Sequence, residues 1–425
     1  MNRAMKVLSL VMAGGQGIRL VPLTRERAKP AVPFGGKYKL IDFVLSNLIN
    51  SGLYSVYVLT QFKSQPLSEH IRDTWTFGTI QRDHFITTVP AQMRIGETWY
   101  QGTADSIYQN LCLIKEQNPE IVVVFAGDHV YRMDVSQMIR YHTEREADVT
   151  VAVVPRPIDK CRGLGIAVVD DYWRIVRFEE KPEKPTPMPG VPGMALVSMG
   201  NYIFNREVLL EEVSADAEDL DSEHDFGGDI LPKIVGTRAV FAYDFRQNRV
   251  PGMSSGEDNS YWRDVGTLDA YWEANMDLRT ATPVFNLYNT QWPVRTADFW
   301  NPPAKFVHEA GDRIGRAINS LVTDGCIISG GTVRGSVLGR HVFVHSYAEV
   351  TDCVILDDVD IRGGCKLRRA IIDENVCIPP GTIIGYDTEE DSKRFCVSAG
   401  GVVVVTGEDF AEQPVERAGT PQPVR

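Results

Sequence analysis

In the first half of the chain, short apolar runs alternate with stretches whose apolar residues recur at helical spacing. The run that opens at Val7 ends in Gly14, Gly15 and Gly17, which predicts a buried parallel strand opening into a loop. Leu40 to Ser51 carries Ile41, Val44, Leu45, Leu48 and Ile49 on one helical face and meets Gly52 at a terminating position. Val56 to Leu59, Ile121 to Phe125 and Val149 to Val154 predict further strands, and Ser198 to Tyr202 begins another. One helix is predicted from Thr103 through Ile107, Leu111 and Ile114 to Asn118-Pro119, a second over Asp134 to Arg145, and a third from Thr267 to Thr280. Gly165 to Asp170 and Arg174 to Phe178 suggest a hairpin. Such alternation implies an α/β unit around a mostly parallel sheet, covered on both faces, with ligands at the carboxyl ends of its strands.

Past a proline-interrupted stretch the period changes. Leu321, Ile327, Val333, Leu338, Val344, Val350, Ile355, Ile361, Leu367, Ile372, Ile378 and Ile384 follow steps of 6, 6 and 5, a repeat of 17 residues. Neither a helix nor an antiparallel meander has this period. It predicts a hexapeptide solenoid, a three-sided parallel β-helix with one inward aliphatic residue per side in each coil. The expected organisation is therefore an α/β unit over 1–282, a linker over 283–305, and a β-helix with a C-terminal tail over 306–425.

Composition narrows the function. The 425 residues are 43% hydrophobic and 24% charged, as in ordinary globular proteins. The N-terminus shows no signal-peptide pattern and no apolar run approaches membrane-spanning length, so a cytoplasmic location is expected. A net charge of −12 argues against a nucleic-acid or anionic-membrane surface. Within it, Arg3, Lys6, Arg19, Arg25, Arg27, Lys29, Lys37 and Lys39 outnumber Glu26 and Asp42 around the glycine loop. The seven cysteines form no CxxC pair and read as reduced, mostly buried thiols. Residues 206–229 carry ten acidic side chains and one basic one, which reads as a solvated loop and helix face.

The glycine loop suits an anion, because its bare N–H groups allow close approach and Arg19 adds a fork that matches phosphate oxygens. A mobile turn is the plainer alternative. A dinucleotide fingerprint is excluded because Ile18, Arg19 and Leu20 follow Gly17, and a P-loop because Gly36-Lys37 continues into Tyr38. Asp128 falls at the carboxyl end of a central strand, facing the predicted phosphates. It is either a Mg²⁺ ligand or the cap of the next turn. Asp264, just ahead of a helix, is the candidate second ligand. Lys181, held at a strand end by Pro182, suits a second phosphate.

The chain resembles the sugar nucleotidyltransferases, through GGQGIRL and EKP. More specifically it resembles the bacterial glucose-1-phosphate adenylyltransferases, through RAKPAVPFGGK, WYQGTADSIYQN, FAGDHVY, HDFGGDILPK and YWRDVGTLDAYW. The resemblance implies a Rossmann-like catalytic domain followed by a left-handed parallel β-helix. It implies adenylyl transfer from ATP to glucose 1-phosphate for glycogen or α-glucan synthesis, and an allosterically regulated homotetramer. By the same resemblance Gly14, Gly15, Gly17, Arg19, Lys29 and Gln61 bind ATP, Tyr100, Gly165, Glu180, Lys181 and Ser198 bind glucose 1-phosphate, and Asp128 and Asp264 hold Mg²⁺. The catalytic set would be Asp128, Lys181, Arg19 and Asp264. Gln16 and Glu26 stand where many bacterial members carry basic residues: Gln16 brings no charge to transition-state stabilisation, while Glu26 and Pro33 put a sugar-bisphosphate activator in doubt. Arg27, Lys39 and Arg369 are the candidate pocket for an anionic effector between the domains. The alternatives are a sister pyrophosphorylase with another base, a regulatory subunit without turnover, and an acyltransferase using His341 or His345 in the repeats.

Overall fold

Nine strands form the central sheet of the computed structural model, which describes residues 5–76, 84–92, 94, 96, 98–253, 259–311 and 313–410. They are β1 (Val7–Ala13), β2 (Ser55–Thr60), β3 (Phe85–Pro90), β4 (Ile121–Ala126), β5 (Val149–Pro157), β6 (Ile166–Val169), β7 (Ile175–Glu179), β8 (Met194–Asn205) and β9 (Val240–Asp244). The main path runs β7-β6-β8-β4-β1-β2-β3, with β5 pairing β8 and β9. β1 lies between β4 and β2, parallel to both, which explains its near-continuous apolar run. β8 runs antiparallel to β4, β5 and β6. Its register shifts between Ser198 and Tyr202, where Gly200 takes φ 69° and bends the strand. Separate apolar cores cover the two faces of the sheet, one including Val11, Val58 and Phe125, the other Leu10, Val124 and Phe204.

The helix predicted across 103–118 is two, Thr103–Tyr108 and Leu111–Gln117. Asn110 breaks it: its φ is −115°, and its amide turns back to donate to Ser106 O and Tyr100 Oη, each at 2.9 Å. The stretch 206–229 is less solvated than its charge suggests. The helix Arg206–Ala217 buries Asp216, which accepts from Ser222 Oγ at 2.7 Å, and Phe226 enters the core.

Beyond the linker, parallel strands stack in three sheets, and Val333, Leu338, Val344, Val350, Ile355, Ile361, Leu367, Ile372, Ile378 and Ile384 point inward as predicted. The first repeat departs from the pattern. Ala317, Val322 and Ile328 pair with Val333, Leu338 and Val344, so this coil has 16 residues, and Leu321 and Ile327 are displaced from the core. The corner at Gly330 and Gly331 removes the residue. Gly330 has φ 72°, and a Cβ on Gly331 would come within 2.7 Å of His345 O. The helix Thr388–Arg394 interrupts the last coil before Val403–Val405 rejoins the sheet. All seven cysteines are free, and Cys161, Cys326, Cys353 and Cys365 are buried. The expected tail at 411–425 lies outside the described residues. Among those described, no helix is long and apolar enough to cross a membrane.

An apolar layer joins the two parts: Leu20, Leu23, Val32, Phe34 and Tyr271 pack with Val337, Val354, Leu356, Ile371 and Val404 of the solenoid. Ion pairs ring it. Arg27 binds Asp373 and Glu374, Arg25 binds Glu408, and Arg279 binds Asp352.

Candidate active site

The glycine loop leaves β1 at the carboxyl end of the sheet. Gly17 is there for a reason of backbone and space: its φ is 65°, and a Cβ would come within 3.0 Å of Lys29 Cβ and Thr24 Cγ2. Thr24 Oγ1 donates to Gly17 O at 2.9 Å and fixes the bend. A cavity of about 520 Å³ opens over this loop, lined by Gly15, Gln16, Gly17, Arg19, Lys29, Asp128 and Asp264 among others. Gly14 packs against Gln61.

Two connections bring the carboxylates together. Gly127 follows β4, and a Cβ there would lie 3.1 Å from Met12 O, so the absence of a side chain lets this turn press closely against β1 and present Asp128. Trp262–Arg263 pairs antiparallel with Val130–Tyr131, which sets Asp264 beside Asp128 and His129. Between the carboxylates sits Lys29 Nζ, 2.9 Å from Asp128 Oδ2 and 3.2 Å from Asp264 Oδ1. His129 Nε2 lies 3.5 Å from Asp128 Oδ1 and 3.4 Å from Asp264 Oδ1, and Arg19 Nη2 is 3.9 Å from Asp264 Oδ2. Burial alone would raise the Asp264 carboxyl. The hydrogen bond from His129 and the charge of Lys29 outweigh burial and hold it far below the usual carboxylate range. Burial likewise opposes the Lys29 ammonium, and Asp128 and Asp264 overcome it and raise its pKa.

A second cavity, about 190 Å³, adjoins the first, and Met12 and Asp264 line both. Gly165, Glu180 and Ser198, the expected glucose 1-phosphate contacts, line it together with His129, Tyr202, Asp225, Phe226, Gly227 and Trp262. Ser198 N donates to Gly165 O at 2.9 Å, tying β8 to the start of β6. A Cβ on Gly165 would strike the Phe178 ring at 2.9 Å. Lys181 Nζ binds Glu180 Oε1 at 2.7 Å, and this bond raises the lysine pKa. Its side chain is 63% exposed, so the charge is free to turn toward a ligand. The buried Trp262 Nε1 and His129 Nδ1 have no hydrogen-bond partner within the described protein, which leaves two polar groups beside this cavity for a polar ligand.

Gln61 and Tyr100 are placed together, although their expected ligands differ. Tyr100 N donates to Gln61 Oε1 at 2.6 Å, and Gln61 Nε2 donates to Tyr100 O at 3.2 Å. His129, Tyr202, Phe226 and Trp262, which line the second cavity, carry no sequence signal of such a role. For Asp225 a signal was present. An Asp followed two and three residues on by glycines can cap both, and Asp225 Oδ1 accepts from Gly227 N at 2.9 Å and Gly228 N at 3.0 Å.

The three cations expected to form an effector pocket do not meet as an open anion site. Both terminal guanidinium nitrogens of Arg27 donate to carboxylates, Nη1 to Glu374 and Nη2 to Asp373. Burial holds the Lys39 ammonium below its ordinary value against the pull of Glu374. Arg369 lies instead 4.4 Å over the Trp272 ring and donates to Gly400 O at 3.0 Å. A protein carboxylate thus stands where the expected anion would bind Arg27. Glu26 is exposed and paired with Lys63 at 2.9 Å.

The nucleotidyl transferase family profile matches residues 8–281, and a profile for the GlmU-like C-terminal hexapeptide matches residues 302–405. A glucose-1-phosphate adenylyltransferase of Thermus thermophilus is 55% identical over 94% of this chain and 98% of its own length. Enzymes of the same name from Deinococcus radiodurans and an Anaeromyxobacter species are 51% and 49% identical, each again over 94% of this chain and 98% of their own length. The loop, the paired carboxylates, the adjoining cavities and the solenoid thus occur in one chain that belongs to the nucleotidyl transferase family, among its glucose-1-phosphate adenylyltransferases.

Proposed function

We propose that the protein transfers the adenylyl group of ATP to α-D-glucose 1-phosphate, giving ADP-glucose and pyrophosphate for glycogen or another α-glucan. The observation that carries this reading is the junction of the two cavities at Asp264. A nucleotide held under the glycine loop and a sugar phosphate held beside Glu180 would meet there. Gly14, Gly15, Gly17, Arg19, Lys29 and Gln61 serve the nucleotide. Gly165, Glu180, Lys181, Ser198 and Tyr100 serve the sugar phosphate. The carboxylates of Asp128 and Asp264 converge on one cation position and offer hard oxygen donors, which fits Mg²⁺ completed by substrate phosphates and water. When bound, Mg²⁺ supplies charge neutralisation between two polyanions.

The chain's own groups do the rest. A sugar-phosphate oxygen is already anionic near neutral pH and attacks the α-phosphorus without a general base, so the protein must position two polyanions and relieve their repulsion. Arg19 neutralises charge on the nucleotide side and Lys181 on the sugar-phosphate side. The catalytic unit spans 1–282 and the solenoid unit 306–425, joined by the linker 283–305. The protein works in the cytoplasm as a homotetramer, and an anionic metabolite that reaches Arg27 competes with Asp373 and Glu374 for it.

Replacing Lys181 by Gln tests the assignment of the second cavity. KM for glucose 1-phosphate should rise by about tenfold or more while KM for ATP changes little, since the lost contact is made to one substrate in the ground state. Equal rises for both substrates would remove Lys181 from that role.

A further inference from the structure

An ammonium group has three N–H donors and no acceptor. In Lys29 two of them donate to Asp264, to its carbonyl oxygen at 2.7 Å and to Oδ1 at 3.2 Å, and the ammonium forms an ion pair with Asp128 Oδ2 at 2.9 Å. The side chain is only 8% exposed, and its stem packs beneath Gly17. In this arrangement the ammonium is committed to the two aspartates. The lysine acts instead as the cation between two carboxylates that would otherwise repel one another at close range. A divalent ion coordinated by the same two carboxylates needs the place that Lys29 Nζ occupies.

We propose that Lys29 is the resident counter-ion of the carboxylate pair. It holds Asp128 and Asp264 in position before the divalent cation binds, then yields to that cation and turns its ammonium to the nucleotide. The inference rests on the reading that this pair binds the metal. The four-carbon stem gives the needed reach, because Lys29 Cβ already touches the glycine loop and the head group alone has to swing. Charge favours the same order of events. Two carboxylates and one ammonium sum to one negative charge, which repels ATP, whereas a divalent ion added to the same groups leaves one positive charge. Metal and nucleotide binding are thereby coupled, each favouring the other by the same factor.

The test uses Mn²⁺ as probe and the full-length protein without nucleotide, with free Mn²⁺ read by electron paramagnetic resonance. Lys29→Met should bind Mn²⁺ about tenfold or more tightly than wild type, because the competing cation is gone. Without metal the variant should melt lower than wild type by about 5 °C, since an uncompensated carboxylate pair is costly, and Mn²⁺ should restore the loss. Lys29→Gln, which keeps a donor without the charge, gives the same comparison should the methionine variant fail to fold. Mn²⁺ affinity in both variants equal to or below that of wild type overturns the proposal. Asp128→Asn separates the underlying reading: unchanged Mn²⁺ affinity in that variant removes the metal from the pair altogether, whereas its loss together with no gain in Lys29→Met refutes only the counter-ion role.

Discussion

Asp128→Asn should lower turnover by ~10² or more and leave the protein folded. Asparagine keeps the shape and one oxygen acceptor of the side chain, so Gly127 still presses against β1 and the site keeps its outline. What disappears is one of the two negative charges that converge at the junction of the cavities. Charge-based stabilisation at a transferring phosphoryl group is worth several kcal/mol, and Asp264 alone supplies only one of the two carboxylates. The Asp128 side chain is 27% exposed, which limits the cost to folding. Steady-state rates with saturating substrates, beside a melting curve, check both halves of the expectation. Near-normal turnover would contradict the assignment of the pair.

The second large effect is structural. Arg27→Met should destabilise the protein by ~3 kcal/mol, because it leaves two poorly solvated carboxylates without their cation. Arg27 is 11% exposed at the side chain, and Asp373 and Glu374 are 15% and 28% exposed. Its Nε also donates to Leu23 O at 2.9 Å, so the same residue braces the loop that leads to Lys29. Adding Glu374→Gln to Arg27→Met should recover part of the loss, since one orphaned charge is then removed. Denaturant unfolding of the three variants checks this. Full additivity, with the double variant less stable than either single, would show that the pair contributes nothing.

Where periodicity carries the structure, the sequence was legible. β1 reads as buried because both its neighbours are parallel strands, and the 17-residue repeat reads as coils because each side must send one aliphatic residue inward. The slip in the first coil was not legible. Leu321-Val322 and Ile327-Ile328 are apolar doublets, so either member suits the core by composition, and the turn at Gly330-Gly331 decides between them. The pairing of Asp128 with Asp264 has no periodic signal either. It depends on two strands of two residues each, Val130–Tyr131 and Trp262–Arg263, so the sequence offered Asp264 as a second ligand by its place ahead of a helix and by family resemblance, with no pattern that showed the contact. The positive segment around Arg27 was visible as charge, but its partners Asp373 and Glu374 lie far along the chain. A local excess of one sign therefore suggested an external anion, and could not show that the fold also brings two carboxylates of its own to Arg27.

The proposed function requires one site to join an adenine nucleotide to glucose 1-phosphate through the α-phosphorus. Its most direct test is pyrophosphate release by the full-length protein with Mg²⁺ and glucose 1-phosphate, measured in turn with ATP, UTP, dTTP and GTP. ATP should give pyrophosphate and ADP-glucose in equal amounts, with a much larger kcat/KM than the other three nucleotides. Preference for another nucleotide, or no pyrophosphate release from any of them, would contradict the account.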